Sequence, residues 1–285
     1  MAEPTYLERA DTRVAVYIDF DNIVISRYDQ KSKRGQFHKD EVRKFDPSSP
    51  NSEVAKKLDD ATVDLGAVLD FASSFGTIAV SRAYADWSVP VNASYRSQLI
   101  ERAVDLVQLF PTVQSMKNGA DIRLAVDVVE DLFRLSDLTH VVIVAGDSDY
   151  IALAQRCKQL GRYVVGIGVA GATSKALAAA CNEFKDYDAL PGLTVTEPAA
   201  PARKQPTKNT ASDLLVRALQ LGQSKTDDEW QSSGTVKNQM LRMDPTFQER
   251  ALGFRSFSDF VKSLDALVEL DESQSSRPMR LRGKG

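Results

Sequence analysis

An α/β fold, a parallel sheet flanked by helices, is predicted by three features of this 285-residue chain. Short apolar runs end abruptly in polar residues, as in Val14–Asn22 (VAVYIDFDN) and His140–Ala145 (HVVIVA) followed by Gly146. Such runs, with no interior Gly or Pro, suit strands buried on both faces of a parallel sheet. They alternate with stretches whose apolar residues recur at helical spacing, the order expected of a sheet with helices on both faces. The alternation then stops at Pro191–Ala211, where Pro, Ala, Thr and Lys replace any apolar period and a second, smaller unit is expected to begin.

Element by element, Val14–Asn22 opens as the first strand, and Arg27–Asn51, rich in Lys and Arg without a clean period, reads as a long loop. Structureless connections of that length serve as lids or binding loops, or are solvated excursions. Glu53–Ser74 carries one continuous helical stripe, Val54, Leu58, Ala61, Leu65, Val68, Leu69 and Ala72, stopped by Gly76. Strands are predicted at Thr77–Ala85, Asp105–Pro111 and Tyr163–Gly168, and helices at Ala93–Val104, Asp149–Leu160 and Ser174–Cys181. Asp121–Leu135 is predicted as a helix burying Ile122, Ala125, Val126, Val129, Leu132 and Phe133. Beyond the linker, helices are expected from Ser212 to Gly222, over Val236–Met243 and over Phe257–Leu264. β-prone segments follow at Ala266–Leu270 and near Met279–Arg282. This arrangement fits a winged-helix-like unit. The expected division is 11–190, a linker 191–210, and 211–285.

Composition narrows the class. With 43% hydrophobic and 26% charged residues the chain can build a core. From residue 200 onward the net charge is about +3, leaving about −6 for the rest, so the two units differ in electrostatic character. Two cysteines, Cys157 and Cys181, exclude a disulfide framework and a cysteine-based zinc site. The charged N-terminal segment MAEPTYLERADTR does not suit a signal peptide, and no run approaches a membrane span. A cytoplasmic protein with no membrane partner is therefore expected.

Carboxylates gather at three places. Asp19, with Asp21 and Asn22, ends the first strand; Lys117–Asp121 (KNGAD) opens a helix; Gly146–Asp149 (GDSD) follows HVVIVA. Strand carboxyl ends are where open α/β sheets bind ligands, so all three can meet on one rim. Clustered acidic oxygens hold Mg²⁺ or Mn²⁺, which polarise a phosphodiester and activate water. Each group also has a plain explanation. Asp121 complements a helix dipole, and Asp147 with Ser148 caps a helix. Asp127 lies about 140° around the helix from Ile122, towards its polar side. Lys117 is a phosphate contact, a balance for the carboxylates, or an ordinary surface lysine. His140 opens a buried strand and reads as structural.

VAVYIDFDNI, KNGADIRLAVDVVEDL and VVIVAGDSDYIALAQRCKQLGRYVVGIGV, in that order, resemble the three core motifs of the NYN domain, the LabA-like branch of the PIN-like ribonucleases. The resemblance implies a PIN-like fold and Mg²⁺- or Mn²⁺-dependent cleavage of RNA. It places Asp19, Asp121, Asp147 and Asp149 as metal-site carboxylates and Asn22 as a supporting ligand or orienting group. Asp127 matches a position often acidic in the family. The segment after Asn22 is longer than a minimal NYN domain requires, and its Lys31, Lys33 and Arg34, with Lys117, are candidate RNA contacts. DLLVRALQL, VKNQMLRMDPTF, LGFRSFSDFVKSL and DALVEL resemble an OST-HTH or LOTUS domain, which implies binding of RNA or of a protein partner. There Phe247, Leu252, Phe254, Phe257 and Phe260 read as core. Arg255, Lys262, Arg280, Arg282 and Lys284 are candidate phosphate contacts or a solvated face.

Two other functions compete. Asp19-Phe20-Asp21 after a strand, with GDSD further on, suits a haloacid-dehalogenase-like phosphatase with Asp19 as nucleophile and Asp21 as acid. A non-catalytic RNA-binding protein retaining the fold is the other. RNA target, cleavage mode and oligomeric state are not written in these motifs.

Overall fold

β1 (Arg13–Asp19) lies at the middle of a six-stranded sheet in which every pairing is parallel. The computed structural model describes residues 12–46, 52–110, 119–193, 208–225, 228–244 and 246–282. The chain divides into two units, one of residues 1–68 and 75–190 and the other of residues 69–74 and 191–285.

In the chain up to Leu190, α1 (Phe20–Lys31) follows β1 directly, then α2 (Gln36–Lys39), α3 (Glu53–Asp60), α4 (Leu65–Ser73) and β2 (Thr77–Ala85). α5 (Pro90–Ala93), α6 (Arg96–Glu101) and β3 (Asp105–Gln108) come next, followed by α7 (Gly119–Arg134) and β4 (Leu138–Val144). α8 (Ile151–Gln159), β5 (Tyr163–Gly168), α9 (Lys175–Ala180) and β6 (Glu183–Asp186) complete it. The strand order is β3-β2-β1-β4-β5-β6. The chain winds outward in opposite directions from β1 and β4, so the crevice at their carboxyl ends is the topological switch point of the sheet. Val14 to Ile18 are fully buried, as are Val141, Val142 and Val144, which agrees with strands covered on both faces.

Several expectations need correction. The stretch 27–51 is not a structureless loop as far as it is described. α1 extends to Lys31, α2 follows, and Val42–Lys44 forms a turn of 3₁₀ helix. Phe37 and Val42 are buried, Asp29 accepts the N–H groups of Gly35 and Phe37, and the Tyr28 hydroxyl donates to Asp40 at 2.7 Å. The stripe over 53–74 is broken at Ala61–Asp64, where Asp64 accepts the Ala67 N–H at 3.0 Å and caps α4. The stretch 93–104 holds the end of α5 and the whole of α6, with Pro90 as the first residue of α5. A sixth strand, the short polar edge β6, gave no apolar signal.

The largest correction concerns α7. Ile122, Val126 and Phe133 are 65%, 56% and 66% exposed, whereas Leu124, Asp127, Val128, Asp131 and Leu132 are buried. The helix turns two aspartates to the sheet. The Tyr17 hydroxyl donates to Asp131 at 2.8 Å and Arg82 pairs with the same carboxylate. The Tyr84 hydroxyl donates to Asp127 at 3.0 Å, and Arg123 closes on it from one turn back. Tyr17 and Arg82 are register partners on β1 and β2, and Tyr84 follows Arg82 on the same face of β2. The sheet thus offers α7 a polar rail, and the Asp127 and Asp131 carboxylates are buried because each has charge-assisted partners.

The second unit contains α10 (Lys208–Gln223), α11 (Ser233–Met243), α12 (Phe257–Lys262), β7 (Val268–Leu270) and β8 (Met279–Leu281), the last two antiparallel. The last three positions of the expected linker, 208–210, belong to α10. Phe247, Phe257 and Phe260 are buried in an aromatic cluster that Phe254 joins, so these phenylalanines are core.

Candidate active site

Asp19 is the last residue of β1 and the N-cap of α1 at once. Its Oδ1 accepts the Asn22 N–H at 3.1 Å and its Oδ2 accepts the Tyr150 hydroxyl at 2.8 Å, leaving the side chain 3% exposed. The expectation of a strand through Asn22 therefore gives way one residue after Asp19. Asp21 and Asn22 lie in the first turn of α1, where the cap draws the chain into a helix. Burial pushes the Asp19 carboxyl up to about 7. The hydrogen bonds from Tyr150 and Asn22 work against that shift, and the charges of Asp121 and Asp21 add to it.

Asp121 enters from the first turn of α7. Its carboxyl is also raised, by burial first and by the charges of Asp147 and Asp149, against hydrogen bonds shared with Tyr150 and Asp19. Asp147 follows the β4 strand as N-cap of the short turn Ser148–Tyr150, and Asp147 and Asp149 are both exposed. Tyr150 stands under the group, 1% exposed. Burial raises its pKa first, and the Asp19 and Asp121 charges raise it further, so the phenol stays protonated and donates. The four aspartates of the sequence reading therefore act on one another across the switch point. Tyr150, the residue that joins two of them, was missed: its only signal was an aromatic residue directly after GDSD, which reads equally as core.

Asn22 bridges the two strand ends. Its side-chain oxygen accepts the Gly146 N–H at 3.0 Å, so it braces the loop after β4. Asp21 faces elsewhere. Asn92, itself 1% exposed, donates to Asp21 at 2.7 Å, and Arg43 lies 3.6 Å from the same carboxylate. Asp127, on its rail with Tyr84 and Arg123, is not among the main charges that shift Asp19 or Asp121. The reading of Asp127 as a solvated residue fails as well, since it is 8% exposed. Ile122, the reference for its helical angle, itself faces outward.

The proposed basic contacts do not gather here. Lys31, Lys33 and Arg34 are exposed around the end of α1, and the Lys31 charge acts on Asp188. Lys117 lies outside the described residues. In the second unit Arg255 is exposed and Lys262 pairs with Glu272 at 2.6 Å. Arg280 is engaged with Glu229 and Glu269 and lies over the Trp230 ring. His140 packs its ring against Phe75 and Tyr163, the structural role expected of it.

As placed, no group of three or more His, Cys, Asp or Glu side chains among the described residues is drawn together closely enough to hold a metal ion. The donor chemistry nevertheless fits a hard divalent cation. The set is all oxygen, and the mutual repulsion that raises Asp121 is what a cation would offset.

The NYN domain family matches residues 13–188 and the OST-HTH/LOTUS domain family matches residues 207–280. No curated protein matches the chain. Among solved structures, a protein of unknown function from Vibrio parahaemolyticus is 17% identical with a TM-score of 0.44, over 64% of this chain and 96% of its own. The order of the two matched domains, the six-stranded parallel sheet and the acidic switch point agree: this chain belongs to the NYN domain family, within the PIN-like nuclease superfamily, and carries an OST-HTH/LOTUS domain behind it.

Proposed function

We propose that the chain is a divalent-metal-dependent ribonuclease that hydrolyses RNA phosphodiester bonds, with its OST-HTH/LOTUS domain engaging the RNA. What supports this reading most is the electrostatic influence that Asp121 exerts on Asp19, and Asp147 and Asp149 on Asp121, around the carboxyl ends of β1 and β4. Those four carboxylates would hold Mg²⁺ or Mn²⁺, which when bound polarises the phosphate and lowers the pKa of water. The rest of the work falls to the chain itself. The Tyr150 hydroxyl holds Asp19 Oδ2 in place, and the Asn22 N–H holds Oδ1. The Asn22 side chain keeps the Asp147 loop against β1. Substrate phosphate would be received on the exposed side of the site, where Asp147 and Asp149 lie. A cytoplasmic location and action on RNA rather than DNA belong to this proposal.

The test is cleavage of structured and unstructured RNA by the full chain with Mn²⁺, Mg²⁺ or EDTA, beside Asp19→Asn and Asp147→Asn. Metal-dependent products lost in both variants support the reading. Wild-type cleavage by the double variant, or RNA binding without products under every metal condition, overturns it. A phosphatase using Asp21 as acid finds no support in the geometry, since that carboxylate is held by Asn92 and lies beside Arg43.

A further inference from the structure

We propose that two copies of this chain pair through the outer face of α7, antiparallel about a two-fold axis. Among the described residues seven large hydrophobic side chains are strongly exposed, and three of them, Ile122, Val126 and Phe133, share this one helix face. With the partly buried Val129 they stand at spacings of four, three and four residues, the seam pattern by which one helix packs against another. α7 spans about 24 Å, enough for four such layers.

The helix cannot roll to bury this seam within its own fold. Its rotation is set by two contacts with the sheet: Asp131 is held by the Tyr17 hydroxyl and Arg82, and Asp127 by the Tyr84 hydroxyl. Turning Ile122 and Val126 inward would carry both carboxylates away from those partners and bury the apolar residues against the sheet's polar groups instead. The apolar face is therefore built to point outward, and such a face calls for a cover.

Charge identifies that cover as a second copy. Antiparallel pairing sets Ile122 opposite the partner's Phe133 and Val126 opposite the partner's Val129. One flank of the seam then brings Arg123 alongside the partner's Glu130, and the two-fold axis repeats that pair. Arg123 and Glu130 are 58% and 55% exposed, so both remain available while keeping their intrahelical contacts to Asp127 and Arg134. A parallel pairing would turn the Arg123 and Glu130 flank towards the partner's Ala125 and Leu132, where neither charge meets an opposite one. One helix face is less than the roughly 800 Å² per partner of a standard interface, so the dimer is expected to be reversible, with a dissociation constant on the order of micromolar.

The test is sedimentation equilibrium of the full chain from about 1 to 200 µM, with Val126→Asp as the disrupting variant. A desolvated carboxylate opposite the partner's Val129 should weaken association at least 100-fold, or roughly 3 kcal/mol. The melting temperature of the monomer should not change. Register is read separately by mild air oxidation of cysteine variants, since Cys157 and Cys181 are both buried. A mixture of Val126→Cys and Val129→Cys chains should form a disulfide-linked heterodimer faster than either forms a homodimer. A wild type that stays monomeric at 200 µM, a Val126→Asp chain that associates as strongly, or cross-linking faster in Val126→Cys alone would each overturn the pairing.

Discussion

Replacing Asp19 by Asn should stabilise the metal-free protein, increasingly so as the pH rises. Asp19 is 3% exposed, and burial lifts its carboxyl from an ordinary 3.8 to about 7. A carboxyl raised in the folded state contributes stability that is complete below pH 3.8, where both states are protonated. That contribution is lost as the pH climbs through 7, because only the unfolded chain ionises freely in between. The difference of about three pKa units corresponds to roughly 4 kcal/mol, of which roughly 2 is already lost at pH 5 and nearly all by pH 8. Asn is neutral and keeps an oxygen for the Asn22 N–H, so it retains the cap and sheds the titration. The assay is urea denaturation of both proteins in EDTA at pH 5 and pH 8. The Asn variant should gain on wild type between the two pH values by about 2 kcal/mol, and Mn²⁺ should stabilise wild type alone. A difference independent of pH, or a variant less stable at pH 8, would refute the placement of a buried, strained carboxylate at this position.

Other consequences follow from the same contacts. Tyr150→Phe removes a hydrogen bond that holds Asp19 down, so the rising limb of the pH–rate profile should move up by about one unit. Cleavage near pH 7 should fall about fivefold and recover towards pH 9; an unmoved limb would show that Tyr150 does not tune Asp19. Asp131→Ala leaves Arg82 and Tyr17 without their carboxylate and should cost about 3–5 kcal/mol by urea denaturation. A cost below 1 kcal/mol would mean the polar rail under α7 is not formed. Asn22→Ala removes the acceptor of the Gly146 N–H and should cost about 1–3 kcal/mol. Hydrogen exchange at that amide should speed up, and unchanged protection would place the bond elsewhere.

The sheet was legible because its central strands are buried on both faces, so that Val14–Ile18 and Val141–Val144 read as unbroken apolar runs. β6 escaped for the opposite reason, since a four-residue half-exposed edge has no apolar signature. The acidic rim was legible in part. Asp19, Asp121 and the GDSD pair announce themselves as carboxylates at element ends, but the hydroxyl that joins Asp19 and Asp121 belongs to Tyr150, whose role depends on a fold contact 131 residues away. α7 was read inside out because local periodicity equates apolar with inward. The groups that make Asp127 and Asp131 acceptable against the sheet, Tyr84, Tyr17 and Arg82, sit on other strands and leave no mark within the helix. The segment after Asp19 looked structureless because its helices are short and its order depends on a few anchors, Tyr28, Phe37 and Val42, rather than a stripe.

The hydrogen bond from Gly146 to Asn22 has a consequence for how this architecture tolerates change. It joins the first turn of α1, directly after β1, to the loop after β4, and the chain winds away from those two strands in opposite directions. Everything between Lys31 and Glu53 lies downstream of that weld on one side, and everything after Tyr150 lies downstream on the other. The spacing of Asp19 and Asp147 is therefore set at this bond, before the chain reaches the described turns at 32–46. The length and charge of those turns can change while the two carboxylates keep their separation.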